Sequence, residues 1–234
     1  MRSLTACLGL VCLLAVSPLS AQVIEYEAVD VVADHFDTGG ERSLFLTMAA
    51  EEPQTVLPAA LPAGPAYGPF RVLDGARAAL VDVTDARSPA LFAAMLRDHP
   101  GIAVIEMIDC PGTEDDLANL RLGRMIRERG IATHVPVGGS VRSGGVELFL
   151  AGARRSADPG AEFAVHSWMD DTGLEPGDYA ATAPENRRYI DYYRQMGMSP
   201  IEAEAFYAMT NSVPFSSARW FGAGEMSLWV ALGV

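Results

Sequence analysis

The chain has 234 residues, half of them hydrophobic, which is enough for one domain with a proper core and too little for two large ones. Its formal charge is −13, an acidity that repels phosphate backbones and anionic lipid and argues against nucleic acid as a partner. All 17 basic residues are arginine, and without lysine there can be no Schiff base, Ser-Lys dyad or P-loop.

Residues 1–21 read as a signal peptide. Arg2 supplies a short positive end, residues 8–16 an apolar core, and Pro18 to Ala21 a helix break and small residues at a cut expected after Ala21. An uncleaved N-terminal anchor is the alternative. No later stretch is apolar for long enough to span a bilayer. The protein is therefore expected in the periplasm or secreted. Cys7 and Cys12 leave with the signal. Cys110, left alone, cannot form an internal disulfide and reads as buried filler more readily than as a nucleophile.

Residues 22–69 read as a separate N-terminal segment and linker. Residues 25–32 alternate weakly, as a strand would. The prolines at 53, 58, 62, 65 and 69, with Gly64 and Gly68 between them, predict an extended linker. From Phe70 to the C-terminus the pattern becomes regular. Residues 78–83 predict a strand, and Ser88-Pro89 predicts a helix start with serine as cap. Leu91, Phe92, Met95 and Leu96 form that helix's apolar face.

Residues 102–108 predict a buried strand, and Cys110 to Thr113 a turn. A helix is expected over 114–129, with acids at its start, arginines at its end and Gly130 closing it. Residues 131–137 predict another strand, followed by a glycine-rich turn and an apolar helix over 143–150. Strands and helices alternating with short joins predict an α/β layer fold with parallel strands. The last third reads as helical. Tyr189, Ile190, Tyr193 and Met196 share one face, and Ser199-Pro200-Ile201-Glu202 is a capping box. No internal repeat at a fixed period is visible.

The most informative segment is Gly138-Gly139-Ser140-Val141-Arg142-Ser143-Gly144-Gly145. A serine at a strand-to-helix turn sits beside free backbone N–H groups that can stabilise developing negative charge. The same serine could equally be an ordinary N-cap. It is not a nucleophile elbow of the α/β-hydrolase type, because Val141 stands where that motif has glycine. His35, His99, His134 and His166 are scattered without Cys or Glu at ligand spacing, which argues against zinc.

Over residues 78–234 the chain resembles the Clp-protease and crotonase superfamily, and more closely the exported bacterial relatives. Gly139, Ser143, Gly145 and Ala151-Gly152 occupy the places of that family's nucleophile motif. Arg154, Arg155, Pro159 and His166 follow, with His166 closing residues 161–165. Upstream, Ile108 to Thr113 is similar to a strand ending in Ser-Pro-Gly-Gly.

The resemblance implies a spiral of β-β-α units with parallel strands and a helical C-terminal part. It implies a serine hydrolase, a peptidase, with Ser143 as nucleophile and His166 as base. Gly144 with Gly112 or Thr113 would supply the oxyanion amides. It implies no cofactor, a peptide or protein substrate and a homo-oligomer. A periplasmic setting without ATP implies no ATP-dependent unfoldase.

Thr113 replaces the second loop glycine, and Val141 and Gly145 stand where exported relatives often carry two cysteines. The stretch that should hold the third triad member, residues 211–220, contains no carboxylate. By register Ser216 takes that place, Asn211 is a nearby substitute, and Asp170 or Asp191 would have to reach in from elsewhere. The same departures favour an alternative, a non-catalytic member that keeps the fold for binding or assembly. A crotonase-like enzyme acting on acyl thioesters conflicts with export, since coenzyme A is cytosolic.

Overall fold

The computed structural model describes residues 62–233. The signal peptide, the strand expected at 25–32, His35 and most of the proline-rich segment lie outside the described residues. The end of the expected linker is already part of the fold. Ala66–Tyr67 (β1) turns tightly through Gly68 and pairs antiparallel with Phe70–Val72 (β2). Pairing thus starts four residues before Phe70, because Gly68 at φ 60 allows a turn too short to read as an element.

β2 pairs antiparallel with Arg77–Leu80 (β3). The chain then repeats a strand, a second strand in another sheet, and a helix. After Ser88–Asp98 (α1) come Val104–Met107 (β4), Asp109–Cys110 (β5) and Asp116–Glu128 (α2). Next are Ala132–Val135 (β6), Ser140–Arg142 (β7) and Gly144–Leu150 (α3), then Arg155–Ala157 (β8) and Glu162–Val165 (β9). Pro184–Gln195 (α4), Pro200–Thr210 (α5), Arg219–Gly222 (β10) and Ala223–Trp229 (α6) complete it.

One sheet has the order β1-β2-β3-β4-β6-β8 and the other β10-β9-β7-β5. The pairs β3/β4, β4/β6, β6/β8, β5/β7 and β7/β9 are parallel. The architecture is therefore α/β with parallel strands, built from β-β-α turns.

The helices form where side-chain chemistry ends them cleanly. Asp115 caps α2 by accepting from Ala118 N at 2.9 Å, and Gly130 stops it at φ 67. Ser199 and Glu202 form the reciprocal capping box expected for α5. At α1 the cap lies one residue earlier than expected, at Arg87. Ser88 instead accepts from Asp85 N and donates to Asp85 Oδ1. The expectation that the last third is helical needs correcting, because β10 crosses it and pairs antiparallel with β9.

Every residue of α3 is buried, so this short helix is enclosed by the described fold on all sides. Val146, Phe149 and Leu150 pack there with Leu122 and Ile126 of α2 and with Tyr192 and Tyr193 of α4. Each such side chain contributes about 1.5–3 kcal/mol of burial. This core holds the turn before α3 rigidly, and that turn carries the site.

Candidate active site

β7 and β9 run parallel as neighbours, with Arg142 opposite Ala164. Ser143 and His166 follow directly at their C-terminal ends, the side of a parallel sheet where ligands bind. The Ser143 amide donates to Ala164 O at 2.9 Å, and its carbonyl accepts from Val146 N at 2.9 Å. Among the described residues Ser143 is the one non-glycine with positive φ, at φ 49 and ψ −126. Ser143 stands at the N-cap position of α3, as the ordinary reading of this serine has it, but its hydroxyl makes no capping bond. A strained serine with a free hydroxyl at a strand-to-helix turn is held there by its surroundings, a pattern that concentrates at functional sites.

The turn after β5 passes close beside that hydroxyl. A Cβ added to Gly112, at φ 132, would stand 3.1 Å from Ser143 Cβ and 3.5 Å from its Oγ. One added to Gly144 would stand 2.7 Å from Thr113 Cγ2. Two glycines therefore permit the approach of two backbone segments. The amides of Gly112, Thr113 and Gly144 donate to no backbone acceptor among the described residues. Thr113 keeps the loop closed despite replacing a glycine, since its Oγ1 accepts from Asp115 N at 3.1 Å and lies 3.2 Å from Thr84 O. Asn119, 2% exposed, locks the arrangement from beneath. Its Nδ2 donates to Gly144 O at 2.7 Å, and its Oδ1 accepts from Thr84 Oγ1 at 2.9 Å.

His166 is oriented by its own chain. Nδ1 donates to Ser167 O at 2.8 Å, which leaves Nε2 of the neutral ring as an acceptor. The ring stands edge-on to Phe215 at 4.9 Å. Ser143 and His166 line the same cleft of about 480 Å³, although no hydrogen bond joins them.

The third-member candidates are not brought to the imidazole. Ser216 is exposed and lines no part of the cleft. Asn211 lines it, but its amide is spent on Tyr207 O at 2.7 Å and Thr210 Oγ1 at 3.2 Å, and its Oδ1 on Trp168 N at 3.4 Å. Asp170 is tied into its own loop by Thr172, Leu174 and Tyr179; the Tyr179 hydroxyl, first among these, holds its carboxyl well below the usual range. Asp191 pairs with Arg187 and Arg194 on the surface. A neutral backbone carbonyl thus occupies the place where a carboxylate was sought, because Ser167 is fixed by its bonds to Val213 O.

No family model matches the chain, and neither does any curated protein. It is similar to solved structures. A membrane protease specific for a stomatin homolog from Pyrococcus horikoshii is 14% identical, with TM-score 0.43 over 68% of this chain and 70% of that one. A ClpP1 mutant from Listeria monocytogenes is 15% identical, with TM-score 0.45 over 67% of this chain and 88% of that one. An enoyl-CoA hydratase from Shewanella pealeana is 14% identical, with TM-score 0.42 over 71% of this chain and 67% of that one.

Sequence reasoning missed the acid in the cleft. Glu147, one helical turn beyond Ser143, is 7% exposed and accepts from Tyr193 OH at 2.7 Å. Burial pushes its carboxyl up to about 7, and the charge of Asp116 adds to the effect. Asp116 accepts from Tyr189 OH at 2.6 Å. The signal was visible in principle: Glu147 is a single carboxylate inside the apolar run 146–150.

The other reactive types lie elsewhere. Cys110 is 1% exposed, and burial raises its thiol far above the range of a nucleophile, in keeping with filler. His99 packs edge-on to Tyr67 at 5.8 Å. His134 lies in the other sheet between Glu106 at 2.6 Å and Asp158 at 3.3 Å. Among the described residues no cluster of three or more ligating side chains could hold a metal, and no helix is long and apolar enough to cross a membrane.

Proposed function

We propose that the protein is a serine hydrolase, and specifically a peptidase, acting outside the cytoplasm. Ser143 Oγ attacks the substrate carbonyl while His166 Nε2 takes its proton. The amides of Gly144 and of Gly112 or Thr113 receive the negative oxygen of the tetrahedral intermediate. His166 returns the proton to the leaving amine, and a water then repeats the sequence to release the acyl group. The observation that carries the reading is the strained Ser143 turn, with its free hydroxyl sharing a cleft with an imidazole whose Nδ1 is already engaged. The homo-oligomer and the exported location belong to the same proposal.

A second reading, the non-catalytic binding protein, draws on a specific observation. Ser167 O orients the ring but stabilises its cation less than a carboxylate would. A fluorophosphonate probe separates the two. Labelling of the purified protein, lost in Ser143→Ala and His166→Ala, is expected for the hydrolase. Absence of label at every assembly state seen by light scattering would leave the binding protein.

A further inference from the structure

Six carboxyl residues line the cleft, Glu114, Asp115, Asp116, Glu147, Asp170 and Asp171, against a single guanidinium, that of Arg188. Asp115 is committed to capping α2 and Asp170 to its own loop, while Glu114 and Asp171 are exposed. Asp116 and Glu147 differ. They come from two helices, α2 and α3, and each accepts one hydroxyl from α4, Tyr189 and Tyr193 standing one turn apart. Neither takes part in any ion pair among the described residues. Arg188 does not serve them. Its Nε donates to Glu185 O, and its guanidinium lies 5.9 Å over the Trp168 ring and 5.8 Å over that of Tyr189.

A carboxyl that is nine-tenths buried, with one phenol as its side-chain partner and no cation, is costly to ionise. Glu147 nevertheless faces the cleft, on the same helix as the turn that carries Ser143. A positive group entering from the substrate would relieve that cost. We propose that Asp116 and Glu147 form a subsite for a cationic group of the substrate, a guanidinium, amidine or ammonium such as a basic peptide side chain near the scissile bond. The proposal deepens the hydrolase reading, but binding at the subsite does not require the chemistry to occur.

The subsite should be proton-coupled. Glu147 is faced by Asp116 from α2 and by Tyr189, Tyr192 and Tyr193 from α4, with Arg188 held over the Tyr189 ring, and its carboxyl sits at about 7. Above that pH Glu147 adds its negative charge to the subsite, and below it Glu147 is neutral. A cation therefore binds more weakly as pH falls through about 7, whereas a neutral isostere does not respond.

The test uses the full chain and an isosteric pair, benzamidine and benzamide, titrated by calorimetry. At about one pH unit above the Glu147 value, benzamidine is expected to bind about tenfold more tightly than benzamide. That preference should shrink severalfold one unit below it. Asp116→Asn and Glu147→Gln should each lose most of the preference while keeping the benzamide affinity, which a merely structural defect would not spare. If one variant fails to fold, the other carries the test.

Ser143→Ala should keep the preference while losing fluorophosphonate label, so loss of the chemistry and loss of the subsite read differently. Equal affinities on the wild type would overturn the proposal. So would a preference that survives in every folded variant, or benzamidine binding that leaves the labelling rate of Ser143 unchanged in a protein that labels.

Discussion

Replacing Glu147 by glutamine isolates the cost of an acid held in the centre of the fold. The carboxyl rises from 4.5 to about 7 on folding, because burial disfavours its charge and Asp116 adds to the effect, while Tyr193 opposes both. At roughly 1.4 kcal/mol per unit, that rise corresponds to about 3 kcal/mol. Between the two values the folded state keeps a proton that the unfolded chain has released. Stability contributed by this group therefore falls as pH rises from 4.5 to about 7, and is constant on either side.

The substituted glutamine cannot titrate, and its carboxamide oxygen can still accept from Tyr193. The stability difference, variant minus wild type, should thus grow by about 3 kcal/mol across the window. Urea unfolding of both proteins at closely spaced pH values measures it. Asp74, Asp85, Asp170 and Glu202, held below the usual carboxylate range, act below this window. His134 is raised by Glu106 and Asp158 against the opposing effect of its burial. All of these are common to both chains and cancel. A difference that stays flat within about 0.5 kcal/mol would refute the claim that Glu147 is buried without a counter-charge.

Ser143→Gly should stabilise the fold by about 1 kcal/mol in the same unfolding assay while abolishing any label, since glycine adopts φ 49 and ψ −126 without strain. Ser143→Val should destabilise it by about 2 kcal/mol, and equal stability of all three chains would remove strain from the account. Gly123→Ala would put a Cβ 1.9 Å from the hydroxyl of Tyr192, a fully buried ring that bonds Glu147 O at 2.6 Å. The expected loss is about 3 kcal/mol, read as a drop in the urea midpoint. Adding Tyr192→Phe should recover part of it, and a single variant as stable as the parent would contradict the packing described.

The helices were legible because their signals are local. Pro89, the acids before Leu117, Gly130 and the Ser199–Glu202 box act within one or two turns of chain, so they read the same before and after folding. The two- to four-residue strands β1, β5, β7, β8 and β10 were not legible. Each is too short to show alternation and owes its existence to a partner far along the chain, as β10 owes it to β9. The repeated β-β-α turn was hidden for the same reason. Its unit is a topology whose loops and strands differ in length, with no matching period in the residues.

Local chemistry by itself determined the α/β alternation, the helix ends and the absence of lysine chemistry, and the motif resemblance singled out Ser143 and His166 as residues to watch. Their sharing a cleft was decided only by the parallel register of β7 against β9, which depends on the whole sheet. Tertiary structure also decided what stands behind the imidazole, a Ser167 carbonyl in place of the side chains at 211 and 216. It turned Glu147 from one more acid on an acidic chain into a buried, uncompensated carboxyl, because α3 has no solvent face. The physical reason is common to all three. Burial and register are sums over distant neighbours, and no window of sequence contains them.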